Sequence, residues 1–368
     1  MSTKQALNPH LMSLDLLRGV AALCVVVMHW LDGNGSKAFH YSLLAVDFFF
    51  VLSGFVVSYA YSERLKAGMS VGEFMLLRVI RLYPMIVVGV VFGVVRYIFK
   101  DHFDPGSSHG PAWLTVRAVF NLLMIPSVMD GLRGDMFILN SALWSLFFEL
   151  VAYLLYAVVL HRLSVVLLWV IVATSGAGVF AWLSDGFSGD PARAAGLFGF
   201  IGYPSGAVRV LFAFSLGVLA QKAFRSRKLA LRLNGWVAGG LLLAFFALPL
   251  GATPALPAFL GILLVFPVIV IGCAGYAGRL ALPGLARALG EVSYPVYVIH
   301  VPILWLLGGA IKVLRKAPGG GIGVPAIWFG VAFLPIIVAL SYILFKAYDA
   351  PVRAAIAEQL RRRRAAAA

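Results

Sequence analysis

The chain has 368 residues, 61 % of them hydrophobic and 12 % charged, with a formal net charge of +15 and a mean hydropathy of +0.94. Long uncharged runs recur along nearly its whole length, and in lipid only helices or closed barrels satisfy the backbone. Period-2 alternation is absent, which excludes a barrel. The basic residues fall in short loops, where they read as topology signals against a lipid bilayer and not as a nucleic-acid face.

The expected fold is therefore all-α: a polytopic integral membrane protein of about ten transmembrane helices. Taken in chain order, the spans are about 14–31, 43–61, 81–99, 141–160, 163–183, 207–223, 235–252, 255–277, 292–311 and 324–346. The apolar run 116–125 is too short to cross and ends at Pro126, so 116–129 is expected at the interface or as a re-entrant segment. One membrane domain over 1–350 is followed by a basic tail, 351–368. Cys24 and Cys273 lie in apolar runs without metal-ligand spacing and read as small core residues.

The first span carries Arg18 and His29, eleven residues apart, which puts both on one helix face roughly 16 Å apart along the axis. An ionisable group in a spanning helix costs about 2.5–3.5 kcal/mol even on the lenient insertion scale, so it needs a reason. An interfacial anchor and a packing histidine would be one such reason. Placing the N-terminus in the cytoplasm puts 20 of the 30 Lys and Arg residues inside, so both termini are expected there. His29, Asp47 and Glu149 then share a depth near the outer face, with Tyr153 one turn beyond Glu149 on the same face. Three titratable groups at one level in hydrocarbon read as a site. The inner layer holds Arg78 and Arg81, one turn apart, at the start of the third span. Paired guanidiniums suit phosphates, although an RxxR seen alone reads first as a topology signal. Pro295 fits the first turn of the ninth span, and His300 is expected on the cytoplasmic half, where alone it reads as a packing residue. Among the His, Cys, Asp and Glu residues no metal-binding pattern stands out. A transporter or flippase using these charges as a proton relay accounts for them as well.

Assembled in order, these residues resemble the acyltransferase 3 family of integral-membrane acyltransferases, which modify bacterial surface glycans, lipids and secondary metabolites. The matching pieces are Leu-Leu-Arg18-Gly with His29 eleven residues on, Phe-Phe-Val-Leu-Ser53-Gly54-Phe, and Arg78-x-x-Arg81-Leu-Tyr83-Pro84. Trp144-Ser145-Leu-x-x-Glu149-x-x-x-Tyr153 and Ser293-Tyr-Pro-x-Tyr297-x-x-His300 complete the set. Many members carry a second acidic residue after the glutamate, where this chain has Leu150. The resemblance implies an acyl-CoA cosubstrate, usually acetyl-CoA, and a glycan, glycolipid or small hydroxylated acceptor met at the outer face of the cytoplasmic membrane. It implies His29 as general base oriented by Glu149, with Asp47 as the alternative partner. Arg18, Arg78, Arg81, Tyr83 and His300 would lie on the donor side, and Trp144, Ser145, Tyr153 and Tyr297 against the acceptor.

Overall fold

The structure, a computed structural model, describes residues 9–103, 106, 109–127, 136–186, 202–226, 231–249, 254–316 and 326–367. Their regular structure is helical throughout. The helices are α1 (Pro9–Gly33), α2 (Ala45–Lys66), α3 (Val71–Phe103), α4 (Pro111–Leu122), α5 (Leu143–Val158) and α6 (Val165–Gly186). Then follow α7 (Gly202–Arg225), α8 (Gly235–Phe246), α9 (Ala255–Gly275, with a π-helical turn at Gly261–Val265), α10 (Pro283–Lys316), α11 (Ala326–Leu344) and α12 (Ala350–Ala367). Among the described residues eight helices are long and apolar enough to cross a membrane, and α5 and α8 are shorter apolar ones. Each of the ten expected spans falls on one of them. The twelve residues of α4 reach only about 18 Å, short of a bilayer core.

The boundaries differ from expectation in two places. Ser70 caps α3: its Oγ accepts from the Glu73 N–H at 3.1 Å, an N-cap that starts the helix ten residues before the expected span. Arg78 and Arg81 therefore lie two or more turns inside α3. Pro283 opens α10 with a proline in its first turn, so Pro295 and Pro302 are interior to the helix and Pro295 is not in its first turn. Pro302 has no N–H for the Val298 carbonyl four residues back. Asn140 Nδ2 donates to that carbonyl instead, at 2.8 Å, a repair that lipid surroundings demand. Downstream, α11 passes through a π-helical turn, Phe345–Asp349, directly into α12.

Packing between helices uses small residues, as expected where lipid removes the hydrophobic drive. A Cβ on Gly54 of α2 would strike the Phe214 carbonyl of α7, and one on Gly217 of α7 would strike the Val51 carbonyl of α2. The backbones of these two helices meet there. Likewise Gly19 faces Leu289 and Gly290 faces Asp15, which seats α1 closely along α10. The two run in the same direction, since Arg18 reaches Ser293 and His29 reaches His300. Cys24 and Cys273 are free and buried.

Candidate functional site

Five helices contribute polar side chains to one cavity of about 100 Å³. Its lining includes Arg18 from α1, Ser53 from α2, Arg78 and Arg81 from α3, Ser145, Glu149 and Tyr153 from α5, and Ser293, Tyr294 and Tyr297 from α10. All five of the ordered sequence pieces thus meet at one place.

Each arginine is held differently. Arg18 donates through Nε to Ser293 Oγ at 2.8 Å and through Nη2 to the Gly290 carbonyl at 3.0 Å, with Asp15 at 3.0 Å. Arg78 is 7 % exposed. It donates to the Tyr61 hydroxyl at 2.5 Å and lies over the Tyr61 and Tyr153 rings at 4.6 and 5.7 Å, while its Nε finds no acceptor among the described residues. Arg81 forms no hydrogen bond or ion pair among the described residues and lines the cavity. Three guanidiniums share this space with a single carboxylate, Glu149. That carboxylate accepts from Ser53 Oγ at 2.8 Å and from the Tyr153 hydroxyl, and the two hydroxyls lie 2.9 Å apart. The set carries surplus positive charge and unused donors, the chemistry of an anion site.

The expected common layer of His29, Asp47 and Glu149 does not form. Glu149 faces the cavity at the Arg18 end of α1, and among the described residues its hydrogen bonds run to Ser53 and Tyr153, with none to His29. Asp47 is 0 % exposed and is taken on both oxygens by Arg209 of α7, at 3.1 and 2.6 Å. The Trp144 and Trp182 rings flank that guanidinium at 5.1 and 4.3 Å. Each carboxylate has found its own donors, as a buried charge must, and neither serves the imidazole.

His29 meets His300 instead, with ring centroids 5.3 Å apart and planes tilted by 32°. Because α10 begins at Pro283, His300 lies about 26 Å along it, deeper than a start at residue 292 implies, and level with His29. His29 is exposed, whereas His300 is 1 % exposed. Tyr297 connects the two regions. It lines the cavity, its ring lies 5.6 Å from the His300 ring and 5.5 Å from the Phe49 ring, and its hydroxyl meets Ser145 Oγ at 2.5 Å. Tyr83 is 38 % exposed and does not line the cavity, and Trp144 belongs to the Asp47–Arg209 group. Sequence reasoning passed over Arg209, Asn140 and Tyr294, whose hydroxyl donates to the Leu82 carbonyl at 2.6 Å. An arginine inside the apolar run 207–223, opposite a helical aspartate, is the signal that was available for Arg209.

The fold and site together define a polytopic helical membrane protein with a buried, arginine-lined cavity. The family model described as an acyltransferase domain, acyltransferase 3, matches residues 12–346, and the chain belongs to that family. Among curated proteins, "Protein 2 in picA locus" of Rhizobium radiobacter is 38 % identical over 159 residues, which are 39 % of this chain and 79 % of that relative. No solved structure matches the chain.

Proposed function

We propose that the protein moves an acyl group, usually acetyl, from acyl-CoA to a hydroxyl of a carbohydrate, glycolipid or related acceptor. The observation that carries this reading is the cavity where Arg18, Arg78 and Arg81 outnumber the one carboxylate. CoA is a polyanion, and planar forked donors grip phosphates through paired charge-assisted hydrogen bonds. The unused donors of Arg78 and Arg81 suit that role, and Arg18, already bonded to Ser293 and Gly290, adds charge. The thin pantetheine arm would follow Tyr297 towards the histidines.

At His29 the acceptor oxygen would attack the thioester carbonyl carbon. The hydroxyl proton passes to the neutral imidazole, the C–S bond breaks, and the leaving CoA thiolate takes that proton back. Imidazole suits the task because its ordinary pKa, near 6.5, leaves it neutral and able to accept. In this reading Glu149 fixes Tyr153 and Ser53 and offsets guanidinium charge. The donor is cytosolic, so the arginine end faces the cytoplasm in the cytoplasmic membrane and both termini lie inside. The 20-of-30 Lys and Arg bias supports that orientation.

The test is release of CoA from acetyl-CoA by purified protein, with water as a slow acceptor. Wild type should release CoA and His29→Ala should not. Release that is unchanged in His29→Ala would defeat the mechanism, and no release by wild type with any acceptor would defeat the activity.

A further inference from the structure

We propose that His300 is the positioning partner of His29, accepting a hydrogen bond from the His29 imidazolium on Nε2. This rests on the reading of His29 as the base, and it assigns to His300 the task that the family resemblance implies for Glu149.

The tautomer carries the argument. His300 Nδ1 lies 2.6 Å from the Tyr297 carbonyl oxygen. A carbonyl oxygen only accepts, so Nδ1 carries the proton and neutral His300 presents Nε2 as a bare acceptor. That Nε2 is buried without a hydrogen-bond partner among the described residues, an arrangement that costs free energy unless something uses it. The group beside it is His29, at 5.3 Å between centroids. Each ring nitrogen stands about 1.1 Å from its centroid, so at this separation a turn of the His29 ring would bring one of its nitrogens within hydrogen-bond reach of Nε2. The carboxylates are otherwise committed. Glu149 is held by Ser53 and Tyr153, Asp47 by Arg209, and Asp32, one turn from His29, by Lys37 and His40 at 3.3 Å each.

When His29 takes the acceptor's proton on one ring nitrogen, its other N–H is turned to His300 Nε2. The positive charge is then shared across the pair, while Asp32 nearby keeps its contacts to Lys37 and His40. His300 exchanges no atoms with the substrate. It stabilises the imidazolium and holds the ring in the orientation that leaves the reactive nitrogen towards the acceptor.

Two substitutions separate this role from a structural one. In His300→Asn the amide reproduces the donor to the Tyr297 carbonyl and removes the Nε2 acceptor. In His300→Gln an amide oxygen stands near the Nε2 position. CoA release from acetyl-CoA is measured for wild type, His29→Ala and both variants, with melting temperature as the folding check. The expected result is kcat lowered about tenfold or more in His300→Asn, with the KM for acetyl-CoA within about twofold and activity largely restored in His300→Gln. If His300→Asn matches wild type, or exceeds His300→Gln, the backbone bond is what matters and the proposal falls while the acyltransfer reading stands. If His29→Ala keeps wild-type release, the underlying reading fails instead. Should both variants fail to accumulate, ¹⁵N-histidine NMR of the wild type decides: Nδ1–H, Nε2-bare His300 supports the proposal, and Nε2–H overturns it.

Discussion

Two sets of arginines inside this bundle have opposite characters. Arg209 spends its donors on Asp47 and the Leu43 carbonyl and is covered by two tryptophans, so nothing is left to bind. Arg78 and Arg81, two helices away, keep donors free and border open space. A closed ion pair pins α2 to α7, whereas an open cluster waits for an anion. Charge in a membrane helix thus signals function only when its hydrogen bonds are incomplete.

Breaking the closed pair gives the largest expected change in stability. Asp47→Leu leaves Arg209 as an uncompensated buried charge, at a cost of about 3–5 kcal/mol. Asp47→Leu combined with Arg209→Met should recover most of it, and thermal unfolding in detergent reads both. If the double variant also keeps CoA release, the pair is structural; if release disappears while stability returns, the pair belongs to the site.

The separation of Glu149 from His29 makes the next prediction. His29→Ala should lower kcat by about 10²–10⁴-fold, the usual range for a general base. Glu149→Gln should act independently, so the logarithms of the two losses should add in the double variant. A double variant no worse than His29→Ala alone would mean that the two residues work as one unit despite their positions.

A smaller effect concerns the scaffold beneath the histidine pair. Asn140→Ala strips the Val298 carbonyl of its donor and should cost about 1–3 kcal/mol. Adding Pro302→Ala restores a backbone N–H for the same carbonyl, so the pair of changes should be milder than the first alone. Equal melting temperatures for the single and double variants would count against the repair.

The helices were legible because every span is a long apolar run, and hydropathy is a local property. Their starts were not. The N-cap at Ser70 and the proline at 283 mark true beginnings inside stretches too polar to look membrane-borne. The later start misplaces His300 along its helix, since counting from residue 292 instead of Pro283 shortens its position by nine residues, about a quarter of α10. The membership of the site was legible as well: the segments bearing Arg18, Ser53, Arg78, Glu149 and Tyr297 meet at one cavity. Which carboxylate pairs with which cation was not, because it depends on neighbours 162 residues apart, as with Asp47 and Arg209.

In the proposed reaction the open arginines hold the donor's phosphates, and CoA titration reads that contact without intermediaries. Arg78→Lys and Arg81→Lys keep the charge that topology needs and lose the planar fork. Each should weaken CoA binding by about 1–3 kcal/mol, the scale of a hydrogen bond to a charged group, which is roughly 5- to 150-fold in dissociation constant. Expression and membrane insertion should be unchanged. Equal CoA affinity in wild type and both lysine variants would contradict the account.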